Sequence, residues 1–79
     1  MNGPTDDLPE AIKRMAEIIL YEIENAGSPI FALKGGAKAD GFVLGITCCN
    51  GLSAESCELL SNHFDSTVEK KLRSLNLGL

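Results

Sequence analysis

Tryptophan is absent from this 79-residue chain, and its aromatics are only four: Tyr21, Phe31, Phe42 and Phe64. Few large side chains are therefore available to anchor a core. A folded chain of this length buries only about 60% of its unfolded surface. Positive charge is scarce as well. Seven Lys and Arg stand against eleven Asp and Glu, for a net charge of -4. Phosphate binding is driven by Lys and Arg, so coating nucleic acid is excluded as the main role and direct nucleic-acid binding is not expected. No apolar run approaches the ~20 residues that span a bilayer, so no membrane segment is read. No basic segment leading into an apolar one opens the chain, so no signal peptide is read.

Metal-ligating residues are equally thin. There is one histidine, His63, and the three cysteines show no C-x-x-C spacing. Structural zinc sites use about four ligands, so no metal site is assigned. No cofactor motif is present either: neither the P-loop pattern nor G-x-G-x-x-G occurs. Cys48 and Cys49 are adjacent and Cys57 falls in an apolar stripe, so all three are read as structural thiols. Free thiols fit a reducing, cytoplasmic location.

What remains is an ordinary globular composition, 44% hydrophobic and 23% charged. One domain over residues 1–79 is expected, with 1–6 as a loose N-terminal segment. A first helix is predicted from Leu8 to Ala26. Asp7 and Glu10 have capping-box spacing, and Pro9 costs no hydrogen bond in a first turn. Leu8, Ile12, Met15, Ala16, Ile19, Leu20 and Ile23 share one face. Gly27 is expected to stop the helix in a left-handed conformation, and Ser28-Pro29 to prevent its continuation.

Pro29–Leu33 and Phe42–Cys48 are short, apolar and bounded by Gly, Pro and Asn-Gly signals. They are predicted to be two strands of an antiparallel hairpin. A last helix is predicted after Gly51, with Ser53 as N-cap. Cys57, Leu60, Phe64, Val68, Leu72 and Leu75 form its stripe. Asn62–Ser66 is poor in helix formers, but the stripe keeps its phase, so one continuous helix is preferred. Leu75, Leu77 and Leu79 leave an apolar tail. The expected fold is thus α+β, in the order helix, strand, strand, helix (αββα). The hairpin packs on two helices and is completed by dimerisation, because two strands alone make a marginal sheet.

Three sites compete. Residues 1–26 hold six acids against Lys13 and Arg14, so this segment carries a net -4. Asp6, Asp7, Glu10 and Glu17, with the off-stripe apolar residues Ile18 and Tyr21, are read as a face for another protein with a basic surface. The alternative is an anion or nucleotide-phosphate site in the Gly-rich loop formed by Lys34, Gly35, Gly36, Ala37 and Lys38. Third is a nucleophilic Cys57 or Cys49 with His63, which lacks a local device to lower a thiol pKa. The expectation is a small acidic cytoplasmic regulatory or inhibitory protein, not an enzyme, that binds another protein and forms a homodimer. Its size and charge place it by analogy with small proteins of bacteria, phages and mobile elements.

Overall fold

The computed structural model describes residue 5 and residues 7–76. They form three helices: α1 (Glu10–Glu24), α2 (Pro29–Cys48) and α3 (Ala54–Asn76). The described residues are 82% helical and contain no strand. The αββα expectation is therefore corrected to an all-helical bundle. Of the segment 1–6, only Thr5 is described; it is buried, and its hydroxyl donates to Glu17 Oε2 at 3.4 Å. Leu77 and Leu79 lie outside the described residues.

The punctuation read as strand boundaries caps α2 instead. Ser28 is an extended N-cap whose hydroxyl accepts from Phe31 N–H at 3.4 Å, and Pro29 sits at the first helical position. Pro is preorganised there and its missing N–H is one no helix would use. At the other end Asn50 adopts φ 56°. Gly51 N–H donates to the Ile46 carbonyl at 2.9 Å and Asn50 N–H to Thr47 at 3.3 Å. This pair of bonds is the Schellman closure of a helix, with Asn in the left-handed position usually held by Gly. Between the caps, buried Ala32, Gly35, Ala39 and Ile46 recur at helical spacing.

The outer helices follow the sequence more closely. α1 starts at Glu10 with Pro9 as N-cap, so Asp7 is not the cap. It ends at Glu24, and Asn25 closes it: both its N–H and its side-chain amide donate to the Tyr21 carbonyl, at 3.0 and 2.9 Å. Gly27 is not left-handed; Asn50 alone has positive φ among the described residues. α3 runs unbroken through Asn62–Ser66. Ser53 caps it, its hydroxyl accepting from Ser56 N–H at 3.1 Å.

The core is built from all three helices. Ala16, Ile19 and Ile23 of α1 meet Ala39 and Ile46 of α2 and Cys57, Leu60 and Phe64 of α3. Phe64, Ile19, Ile23 and Leu60 are the largest fully buried side chains. Each contributes about 1.5–3 kcal/mol by leaving water. Phe42 packs edge-on against Phe64, centroids 6.4 Å apart.

Gly35 and Gly36 set how closely α2 approaches its neighbours. A Cβ on Gly35 would lie 2.7 Å from Ile23 Cγ1 of α1, and one on Gly36 would lie 3.1 Å from Val68 Cγ2 of α3. Two adjacent residues thus form the contact points of α2 with both partners. The Gly-rich loop of the sequence reading is mid-helix, and its function in the fold is close packing.

Candidate functional site

The predicted partner face is assembled on the outer side of α1. Glu10, Glu17, Ile18 and Tyr21 are spaced so that they project from one side of a helix. All four are exposed, Tyr21 at 67% and Ile18 at 46%. Glu10 pairs with Arg14 at 3.7 Å and Glu17 accepts from Thr5. The first is a solvent-facing ion pair and contributes at most about 1 kcal/mol; the second is part-buried, because Thr5 is buried. Asp7 is exposed; Asp6 lies outside the described residues.

The predicted anion site is dispersed by the helix. Backbone N–H groups within α2 are engaged in its ladder, so the loop that was to offer them to an anion does not exist. Lys34 and Lys38 lie one turn apart and border a groove of about 450 Å³ between α1 and α2. Tyr21, Glu22, Asn25 and Phe31 also line it. Lys38 Nζ donates to Glu22 at 2.9 and 3.3 Å. Lys34 Nζ sits 5.6 Å from the centre of the Phe31 ring, a cation–π arrangement. The groove therefore presents an aromatic pair with one cation tied to a carboxylate.

The thiols are also redistributed. Cys57 is buried, while Cys48 and Cys49 are exposed at the end of α2. The reading of the latter two as buried structural thiols is corrected by that exposure. Cys57 and His63 are six residues apart on α3, about 9 Å along its axis. Among the described residues no three His, Cys, Asp or Glu side chains are grouped to hold a metal ion. No described helix is long and apolar enough to cross a membrane.

Sequence reasoning missed the apolar outer side of α2. Ile30, Phe31, Leu33 and Leu44 are 55 to 65% exposed. A strand reading hid their arrangement, because it placed the run on a hairpin to be completed by a second copy. On the helix Ile30, Leu33 and Leu44 fall in one stripe opposite the buried one, while Phe31 turns toward the α1 groove. No family model, curated protein or solved structure matches the chain.

Proposed function

We propose that this protein acts by binding another protein through the outer side of α1. The observation that carries the reading is the exposed pair Ile18 and Tyr21 set beside the carboxylates Glu10 and Glu17. Large exposed side chains of this kind are the usual anchors of an interface, and Tyr combines apolar area with a hydroxyl. The carboxylates, in a segment of net charge -4, select a partner with basic groups around an apolar centre. Such a binding module regulates or inhibits by occupying its partner's surface.

The test is affinity capture from the source cell by wild type and by Tyr21→Ala and Ile18→Ser, with helical circular dichroism confirming the fold of each. Tyr21 and Ile18 stand in solvent, so both variants keep their structure. A basic protein retained by wild type and lost from both variants supports the assignment. Capture that is indifferent to both substitutions removes this face from consideration. A second reading rests on the groove, where Tyr21, Phe31, Lys34 and Lys38 would suit a planar anion. Lys34→Glu separates the two: it abolishes nucleotide binding in the groove reading and leaves protein capture intact in the first.

A further inference from the structure

Helix α2 is apolar on two opposite sides, and the described residues cover only one. The uncovered side presents Ile30, Leu33, Ala37, Gly41, Leu44 and Cys48, all exposed. Their spacings of three and four confine them to a sector of about 80° along the whole helix. No ionised group lies inside the sector. Lys34 borders one edge and Asp40 the other, with Asp65 of α3 next to Asp40 across a shallow groove, where Glu69 is paired with Arg73 at 2.9 Å. We infer that this side is the two-fold interface with a second copy of the chain, the two α2 helices running parallel.

Three observations select that occupant and that orientation. The pattern is self-complementary: bulky side chains at each end enclose Ala37 and Gly41, and a Cβ on Gly41 would meet nothing within 4 Å. Identical chains can therefore approach closely at the middle of the stripe. The edges are oppositely charged. A parallel pair sets the Lys34 edge of one copy against the Asp40 and Asp65 edge of the other, twice by symmetry. An antiparallel pair sets acid against acid. The area also fits: the stripe would remove roughly 500 Å² per copy, which reaches the ~1,000 Å² at which specific interfaces begin. A dimer that dissociates in the micromolar range is expected.

Parallel pairing has a consequence that other arrangements lack. It brings Cys48 of one copy to Cys48 of the other at the end of the seam, within disulfide reach. In an antiparallel pair the two thiols would stand about 27 Å apart. The experiment combines sedimentation with oxidative cross-linking. Wild type should associate reversibly between about 5 and 300 µM, and Leu33→Glu and Leu44→Glu should each weaken the dimer about tenfold or more. Both leucines are solvent-facing, so the helical signal should stay unchanged. Mild oxidation with copper–phenanthroline should give a disulfide dimer in wild type and Cys49→Ser but not in Cys48→Ser. A monomer throughout that range, or a dimer indifferent to both glutamates, overturns the interface. A dimer whose Cys48 does not cross-link overturns the parallel orientation.

Discussion

At the scale of single residues, the four glycines of α2 divide into two kinds. Gly35 and Gly36 face neighbouring helices at distances that leave no ordinary room for a methyl group, whereas a Cβ on Gly41 or Gly45 enters open space. Replacing a helical Gly by Ala gains about 0.5–1 kcal/mol from backbone entropy. At Gly45 nothing opposes that gain, so Gly45→Ala should stabilise by about that amount. At Gly35 the methyl meets Ile23 Cγ1 at 2.7 Å, and Ile23 is itself fully buried and stiff at χ1. Overpacking of this sort costs about 1–3 kcal/mol, so Gly35→Ala should be net destabilising. Urea midpoints of the two variants check the pair; a neutral Gly35→Ala would remove the close-packing assignment. The sequence shows the glycines but not what stands opposite them. For that reason a pair that fixes two helix contacts reads as a loop.

At the scale of elements, legibility followed contrast. α1 and α3 have one apolar face and one charged face, so their period is visible in the residues themselves. α2 has three charged residues in twenty, Lys34, Lys38 and Asp40. Its buried stripe and its exposed stripe together fill the period, and a run apolar on both sides carries no helical signature. Its boundaries were ambiguous for a related reason. Ser-Pro ends one helix or begins the next, and Asn-Gly turns a hairpin or closes a helix, with the same local chemistry. The closure gives a test. Asn50 holds φ 56°, which costs an ordinary residue about 1 kcal/mol or more. Asn50→Ala should lose about that amount in urea unfolding, and Asn50→Gly should lose none. Equal losses in both would mean that the Asn side chain, not its backbone, matters.

At the scale of the whole molecule, the helical reading of α1 was enough to place Glu10, Glu17, Ile18 and Tyr21 together on one exposed side. The strand reading of α2 gave Ile30, Leu33 and Leu44 to a hairpin awaiting a second copy, and so concealed that they share one exposed side of a helix. A further property follows from the four glycines, which weaken the intrinsic helicity of α2 by about 4 kcal/mol relative to alanine. α2 is helical because α1 and α3 hold it so, and removing that support returns residues 42–48 to their own preference. Phe42-Val43-Leu44-Gly45-Ile46-Thr47-Cys48 is β-branched and aromatic, uncharged and free of Pro, the composition of a cross-β segment. Heating should therefore end in β-rich aggregates, not in a reversible coil. Thioflavin fluorescence after a melt under reducing conditions should rise, and Leu44→Lys should suppress the rise. A wild-type melt that retraces itself on cooling would contradict this. The strand written into the sequence is thus kept out of the native state by its neighbours, and proteostasis of this chain depends on how rarely they let go.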